Sequence, residues 1–174
     1  MANYKIDHMH SDVTFKVKHL MISTVTGTFS GFDASFDAEA ADFTDAKINF
    51  EADINTISTN NAQRDEHLKS GDFFDAANHP KMTFTSSEMK KTSDNNYELH
   101  GNLSIRGNVH PIVLGVEYSG QMVDFYGNEK HGFEINGKFS RKAFGLTWDA
   151  VTEAGGVVVS DEVKIIVNAQ FQKL

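Results

Sequence analysis

The amino-acid sequence predicts an all-β domain, folded as a meandering antiparallel barrel or sandwich. Apolar and polar residues alternate with period two over much of the 174-residue chain, turn-forming residues separate the alternating stretches, and one polar segment has helical character. Alternation is typical of strands with one apolar face and one solvated face. Short strands at regular spacing with such turns favour a barrel or a sandwich.

Six alternating stretches are interpreted as strands. In each of them every second residue is expected to face the interior, because successive side chains of a strand point to opposite faces. The expected inward positions, in chain order, are Val13, Phe15, Val17 and His19; Ile48, Phe50, Ala52 and Ile54; Met82 and Phe84; Leu99, Gly101, Leu103 and Ile105; Phe133, Ile135, Gly137 and Phe139; and Val163, Ile165, Val167, Ala169 and Phe171.

Turns and one helix are expected between these strands, and residues 1–174 are interpreted as one domain. Residues 60–70 predict a short helix, with an asparagine at the start and Gly71 just beyond the end. Residues 144–154 predict either a further helical turn or an ordered loop. Turn signals occur at Ser30-Gly31, Ser70-Gly71, residues 93–96, Gly107-Asn108, residues 126–128 and Gly155-Gly156.

The segment around Gly31 has two interpretations. Phe29 lies one position out of phase with Phe32, Ala34 and Phe36. A β-bulge near Gly31 would bring all four side chains to one face, since a bulge inserts one extra residue into a strand. Two separate strands joined by a bend would have the same effect.

Composition excludes several kinds of function. The net charge of −8 disfavours nucleic acid as a partner, and the absence of cysteine excludes disulfides and thiolate metal sites. No apolar run approaches the roughly 20 residues that span a bilayer. No apolar leader opens the chain, which favours a cytoplasmic protein; a periplasmic or secreted protein whose leader was removed is the alternative.

The histidines and glycines form no recognised motif for catalysis or metal binding. His8 and His10 have the spacing that places two side chains on one strand face, but no acidic residue completes a known metal motif, so no metal and no cofactor is expected. Nucleophile elbows and phosphate-binding loops are missing from the sequence. The segment from Arg64 to His67 is interpreted as a solvated helix face, with a role at the cavity entrance as the alternative.

Two polar residues are expected to point inward at strand ends. His19 continues the phase of Val17, and Arg141 continues the phase of Phe139. A buried arginine or histidine needs a hydrogen-bond or ion-pair partner. A polar ligand head group would supply it at a barrel mouth; Asp149, Glu153 or a backbone carbonyl would supply it otherwise.

A series of short motifs extends over almost the whole chain. The motifs are Ile6-Asp7, His10-Ser11, residues 15–21 (FKVKHLM), Asn60, Gln63-Arg64-Asp65, His67-Leu68, residues 72–75 (DFFD), Pro80, residues 101–107 (GNLSIRG), Arg141, Phe144-Gly145-Leu146, Trp148, residues 153–157 (EAGGV) and residues 161–163 (DEV). Each motif is weak alone, but their order and spacing together are specific. In them the chain resembles the YceI-like family of polyisoprenoid-binding proteins.

The resemblance implies an extended lipocalin-like antiparallel barrel of eight strands with a short helix in one connection. It also implies an apolar tunnel that holds a long isoprenoid or similar lipid, and often a homodimer. One position departs from the family pattern: Asn108 follows Arg106-Gly107 where threonine is common, which leaves any ligand contact there open.

Binding, storage or transport of a long apolar ligand is therefore the expected function. A lipid-acting enzyme with His19 as acid or base is one alternative, and a stress-related structural protein with a filled barrel is another. No catalytic residue is assigned. Strand parity and the resemblance together assign the ligand tail to Phe15, Val17, Met21, Phe29, Phe84, Leu103, Ile105, Phe139, Phe144 and Trp148, and the polar head to His19, Arg141 and Arg64.

Overall fold

The computed structural model describes residues 1–149 and 158–174. Within this part of the chain the backbone forms eleven β-strands, one α-helix and three short 3-10 helices. The 3-10 helices are His8–His10, Ile54–Thr56 and Lys142–Phe144. The other elements are β1 (Ala2–Ile6), β2 (Asp12–His19), β3 (Ser23–Phe29), β4 (Phe32–Ala38), β5 (Lys47–Asp53), β6 (Ile57–Ser58), α1 (Ala62–Lys69), β7 (Lys81–Ser93), β8 (Asn96–Ile105), β9 (Asn108–Val123), β10 (Glu129–Ser140) and β11 (Val159–Lys173).

The strands form one closed antiparallel barrel, which confirms the predicted fold. Hydrogen bonds connect eight of them in the order β1, β4, β5, β7, β8, β9, β10 and β11, and β11 pairs back with β1. β2, β3 and β6 extend the same sheet from the other part of β11. β1 and β2 are separated only by a 3-10 turn, and so are β5 and β6, while β3 and β4 are separated only by a bend, so each pair acts as one long strand with a break. Counted in this way, strands that follow one another in the chain are neighbours in the sheet, which is an up-and-down meander.

The predicted parity of the strands agrees with the observed register. On β11, Val163, Ile165 and Val167 lie directly opposite inward residues of β2, while Lys164 between them is exposed. Phe15 of β2 lies opposite Gly27 of β3, and its ring occupies the space that a Cβ at position 27 would need. The absence of a side chain at Gly27 therefore leaves room for the tip of the Phe15 ring against the neighbouring strand.

The phase slip near Gly31 is resolved as two strands joined by a bend. β3 ends at Phe29 and β4 begins at Phe32, and both phenylalanines are buried. The bend is held by Thr56, whose Oγ1 accepts a hydrogen bond of 3.0 Å from the amide of Gly31. The two halves then pair with different neighbours, β3 with β2 and β4 with β1.

The predicted helix is confirmed, with slightly narrower bounds. α1 begins after Asn61, whose Oδ1 accepts a hydrogen bond of 3.0 Å from the amide of Arg64. It ends before Ser70, which bonds back to the carbonyl of His67. Residues 144–154 were predicted to form a helical turn or an ordered loop. The structure describes the 3-10 turn Lys142–Phe144 and residues 145–149. The predicted turn at Gly155-Gly156 and Glu153, the candidate partner of Arg141, lie outside the described residues.

Two sequence-based interpretations need correction. The predicted strands did not include β1, β6 or β9; in β9, Val109 and Val113 are exposed on the outer face and mask the alternation with Leu114 and Val116 inside. His8 and His10 do not share a strand face, because they lie in a 3-10 turn.

That turn is anchored by Asp7, which is mostly buried. Asp7 Oδ2 lies 2.7 Å from His10 Nδ1 and accepts a hydrogen bond of 2.6 Å from Lys130 Nζ. Burial alone would raise the pKa of the Asp7 carboxyl, but the bonds from Lys130, His10 and the Met9 amide together hold it at about 2. This ion pair therefore ties the break between β1 and β2 to β10.

Candidate functional site

The end of the barrel where β1 begins is packed with aromatic rings. His131 is buried, and its Nδ1 lies 2.7 Å from the hydroxyl of Tyr118. The rings of Tyr4 and Phe43 meet the imidazole edge-on, with centroids 5.5 and 5.2 Å away. Burial raises the pKa of the Tyr118 hydroxyl above its ordinary value. We refer to this end as the closed end.

Three small apolar cavities follow one another inside the barrel, away from the closed end. The lower cavity, about 50 Å³, lies between Phe36, Phe43 and Phe133. The middle cavity, about 80 Å³, is lined by Ala34 and Val167 among others. The third is the upper cavity, which has a volume of about 60 Å³ and includes Phe29, Phe74, Phe139 and Leu146 in its wall.

The cavities are adjacent, because neighbouring ones share wall residues. Ile48, Leu99, Ile135 and Phe171 line both the lower and the middle cavity. Val13, Met82 and Ile165 line both the middle and the upper cavity. Each cavity alone is smaller than the roughly 300–1,000 Å³ of a usual ligand pocket. A long chain would therefore occupy several of them, with the shared side chains moving between rotamers.

A fourth, larger cavity lies beyond the upper one, at the opposite end from the aromatic cluster. We call it the mouth cavity; its volume is about 160 Å³. Elements distant in sequence form it, since β2, β3, α1, the loop after α1, the loop after β10 and the start of β11 all contribute. The residues that line it are Phe15, Val17, His19, Val25, Arg64, His67, Leu68, Phe73, Trp148, Val158 and Val159.

An aromatic contact between α1 and the loop after β10 forms one wall of the mouth cavity. The ring of Trp148 meets the imidazole of His67 edge-on, with centroids 4.8 Å apart, and lies 5.4 Å from the ring of Phe73. Asp72 fixes the imidazole, because its Oδ2 lies 2.9 Å from His67 Nε2. The mouth cavity thus has a wall of aromatic rings, and the imidazole of His67 is the polar group at the edge of that wall.

Arg64 places a guanidinium at the same cavity. Its Nε donates to Thr59 Oγ1 and its Nη2 to the Thr59 carbonyl, both at 2.8 Å. The Thr59 hydroxyl in turn donates to Asp65, which fixes the start of α1. A guanidinium carries five N–H donors. Two are bonded to Thr59, and in residues 1–149 and 158–174 no other hydrogen bond of this side chain is present, so further donors are available to a ligand.

Arg141 turns inward, as its parity predicts, and lines the upper cavity with only 2% of its surface exposed. Its donors are directed at backbone carbonyls. Nη1 bonds to Leu146 and Trp148, both at 2.7 Å, Nε bonds to Ser160 at 2.9 Å, and Nη2 bonds to Val159 at 3.0 Å.

These bonds give Arg141 partners within the protein, and its contact with a ligand head stays a prediction. Nη2 also lies 3.8 Å from Asp149 Oδ2. Burial lowers the pKa of the guanidinium, and the charges of Asp149 and Asp161 oppose that effect. Because its hydrogen bonds go to two chain segments, Arg141 joins the loop after β10 to the start of β11. The alternative partners considered from sequence, Asp149 and a backbone carbonyl, are the ones observed.

Most residues assigned to the ligand tail line one of the cavities. Phe15 and Val17 lie between the upper and the mouth cavity. Phe29 and Phe139 line the upper cavity, Phe84 and Leu103 the middle cavity, and Trp148 the mouth. Contact of these side chains with a ligand stays a prediction.

Three assigned tail residues lie elsewhere. Met21 is 72% exposed in the turn after β2, because the strand ends at His19 and its alternation stops there. Ile105 and Phe144 are fully buried but line none of the four cavities. Phe144 packs instead against the rings of Phe139 and His110, so it supports the wall of the barrel from outside the cavity.

His67, Leu68 and Phe73 at the mouth cavity were not assigned from sequence. α1 is polar over most of its length, which favoured a solvated face; Arg64 and His67 nevertheless line the mouth cavity, and a role for them there stays a prediction. The available signal was the helix dipeptide His67-Leu68 followed by Phe73, which all lie in the motifs that carry the family resemblance.

His19 lines the mouth cavity as well, where its imidazole faces the lumen beside Val17. No hydrogen bond to its ring is present within the described part of the chain, so an orienting partner for acid or base catalysis is missing there.

In that same part of the chain, no helix has the length and hydrophobicity needed to cross a bilayer.

Comparisons with known proteins agree on one family. The model of the YceI-like domain matches residues 4–171. A UPF0312 protein of Staphylococcus epidermidis is 36% identical over 172 residues, covering 98% of this chain and 98% of that protein. The crystal structure of a Campylobacter jejuni YceI protein has a TM-score of 0.76 at 31% identity, covering 90% of each chain.

One further solved structure shares the fold at low sequence identity. It is described as a polyisoprenoid binding domain from Saccharophagus degradans implicated in plant cell wall breakdown. It has a TM-score of 0.68 at 13% identity and covers 98% of this chain and 98% of that chain. A likeness at this identity shows the fold alone.

Proposed function

Because the chain belongs to the YceI-like domain family, we propose that it binds a long-chain apolar ligand, most simply a polyisoprenoid or related lipid, inside its barrel. The observation that carries the proposal is the series of adjacent apolar cavities that leads from a polar-edged mouth toward the closed end. The polyisoprenoid binding domain that shares the fold gives further support.

The shape and chemistry of the interior favour a thin, flexible chain over a compact ligand. The lower, middle and upper cavities expose no polar surface, so a hydrocarbon can fill them without leaving a buried polar group unpaired. Each buried methylene stabilises the complex by about 0.8 kcal/mol. Met82 in the wall between two cavities is unbranched and adapts its shape easily, which suits a partition that must move.

Extraction of the ligand tests the function directly. Mass spectrometry of an organic extract from the purified chain should detect an apolar lipid. Delipidated protein should melt about 5 to 10 °C lower than protein with ligand at a hundredfold excess over Kd, because binding to the folded state alone stabilises it by about 2.7 kcal/mol. An extract without lipid, together with an unchanged melting temperature when isoprenoid alcohols are added, would contradict the proposal.

The polar head of the ligand is assigned to Arg64, His19 and His67 at the mouth cavity. Arg64→Met should weaken binding of an isoprenyl phosphate by roughly 10- to 100-fold, since a hydrogen bond to a charged group contributes about 1.5–3 kcal/mol. Binding of the matching hydrocarbon should change less than about threefold, because a hydrocarbon accepts no such bond. Titration of both ligands by tryptophan fluorescence measures the difference, with Trp148 as the reporter.

Lys69→Met is the matched control for Arg64→Met. It removes a positive charge from the same helix, but Lys69 pairs with Glu66 and lies outside the mouth cavity. Equal weakening of phosphate binding in both variants would indicate a general charge effect and would remove Arg64 from the head-group site.

Storage or transport of the ligand and assembly as a homodimer are also part of the proposal. The family resemblance supports the dimer, and sedimentation of the purified chain measures the assembly. A monomer at all concentrations would exclude the dimer without affecting ligand binding by one barrel.

A further inference from the structure

A row of lysines crosses the outside of the barrel near the mouth. Lys138 of β10 lies directly opposite Lys164 of β11, and Lys164 lies directly opposite Lys16 of β2. All three point outward, because the residues beside them on each strand face the interior. Lys18, two positions further along β2, is on the same face and is exposed. We call these four residues the lysine row.

The lysine row is unfavourable for the isolated barrel. Like charges directly opposite each other destabilise a sheet. Glu162 approaches Lys138 to 3.8 Å, but in residues 1–149 and 158–174 no acidic side chain pairs with Lys16, Lys18 or Lys164. The chain as a whole carries a net charge of −8, so this positive patch differs in sign from the average surface. An anionic partner would offset the repulsion.

An exposed apolar turn continues from the end of the lysine row. Leu20, Met21 and Ile22 join β2 to β3 with exposures of 41%, 72% and 86%. The preceding residue, His19, lines the mouth cavity, so the turn lies at the rim of the opening. By strand geometry Lys18 is about 7 Å and Lys16 about 13 Å from Leu20, and adjacent strands are about 5 Å apart. The apolar turn and the lysine row thus form one continuous surface.

We propose that this surface docks the barrel mouth on an anionic phospholipid bilayer, with residues 20–22 inserted at the interface and the lysine row on the head groups. Interfacial binding of this kind requires buried apolar area together with attraction to anionic lipid. The proposal rests on the proposed function, because a carrier of an apolar chain gains from presenting its mouth to the membrane that supplies or receives the chain.

Vesicle co-sedimentation of the full chain tests the docking. The wild-type protein should sediment with vesicles of phosphatidylcholine mixed with phosphatidylserine, and much less with vesicles of phosphatidylcholine alone. Added salt should release it, since screening shortens the reach of surface charges. Absence of binding to the mixed vesicles, or equal binding to both vesicle types, would overturn the proposal; a protein partner for this face would then be indicated.

Two double variants separate the two parts of the surface. Lys16→Gln/Lys164→Gln should lower the partition coefficient roughly 25-fold, because each lysine near an anionic surface contributes roughly fivefold and the two factors multiply. Met21→Ser/Ile22→Ser should lower it by a similar factor on both vesicle types. The lysine variant should also fold at least as stably as the wild type, since it removes cross-strand repulsion.

The controls carry the same substitutions at the closed end. Phe125→Ser/Tyr126→Ser changes another fully exposed apolar turn, between β9 and β10, and Lys90→Gln/Lys91→Gln removes two positive charges from β7. Both should bind vesicles as the wild type does; losses equal to those of the mouth variants would overturn a docking surface at the mouth.

Affinity for a soluble isoprenoid, measured without vesicles, distinguishes failure of this inference from failure of the proposed function. All four variants should keep it within about twofold, since none of their side chains lines a cavity. Ligand binding without vesicle binding overturns the docking alone, whereas loss of both in the wild type overturns both proposals.

Discussion

Replacing Arg141 with methionine is expected to lower the free energy of unfolding by about 4 kcal/mol or more. The guanidinium bonds to four backbone carbonyls, at 2.7 to 3.0 Å, and methionine offers them no donor. Each carbonyl left buried without a partner costs about 1–3 kcal/mol. Urea unfolding measures the effect as a lower midpoint, by about 2 M for a slope near 2 kcal/mol per molar.

Lys142→Met is the matched control, because Lys142 is the next residue and shares an acidic partner with Arg141. Its Nζ lies 3.3 Å from Asp149 Oδ2, and its side chain is 44% exposed. Loss of this exposed pair should cost less than about 1 kcal/mol. Arg141→Lys keeps the charge but not the planar fork, and we expect intermediate stability from it.

A head-group role for Arg141 would produce a different pattern. Arg141→Met would then unfold at nearly the wild-type urea concentration, and its affinity for an isoprenyl phosphate would fall while affinity for the hydrocarbon stayed the same. That result would return Arg141 to the ligand site and would mean that the four carbonyl contacts contribute little to folding.

Filling the middle cavity with Ala34→Phe is expected to shorten the chain that the barrel accepts. Ala34 lies on β4 between the inward residues Phe32 and Phe36, and it lines the middle cavity of about 80 Å³. A ring at this position blocks the path from the upper to the lower cavity. Long prenyl alcohols should bind at least about 100-fold more weakly, which equals the loss of three or four buried methylenes.

Short prenyl alcohols should be much less affected, because the upper and mouth cavities are enough to hold them. Titration with alcohols of increasing length should therefore give different curves for the two proteins. The affinity of the wild type should keep rising with alcohol length, whereas the affinity of the variant should stop rising once the alcohol is long enough to reach the middle cavity. The ring costs about 1–3 kcal/mol of stability if the core is overpacked, so thermal unfolding should accompany the titration.

Ser35→Phe is the control for Ala34→Phe. Ser35 is the next residue of β4 and is exposed on the outer face, so the same ring there leaves the lumen unchanged. If Ala34→Phe bound long and short alcohols as tightly as Ser35→Phe does, the ligand chain would not enter the middle cavity. Equal weakening of long and short alcohols would point to a damaged fold.

The inward-facing positions of most strands could be predicted from sequence because period two is a local property. A single strand such as β11 displays which of its residues face inward, and pairing with β2 or β10 does not change that parity. The start of α1 could be predicted for the same reason, because the interaction that caps the helix is local: the side chain of Asn61 accepts a hydrogen bond from an amide only three residues away. β9, one of the strands that were not predicted, carries apolar residues on both faces in its first half and so lacks the alternation.

The mouth could not be predicted in the same way, since its parts are distant in sequence. His19, Arg64 and Trp148 meet there from β2, α1 and the loop after β10, and nothing in their neighbouring residues specifies that meeting. The same is true of Arg141. Parity turned it inward, but which carbonyls came within reach depended on how the following loop folded back over the barrel.

By itself the sequence determined the alternation of each strand, the cap of the helix and the family of the barrel. Tertiary structure alone decided how the interior is divided into four cavities, which arginine faces the mouth and which one holds a loop, and that the apolar turn after His19 adjoins a row of lysines from three strands. The physical reason is the range of the interactions. Alternation and capping act within a few residues, whereas cavities and cross-strand neighbours exist only after segments far apart in the chain have packed together.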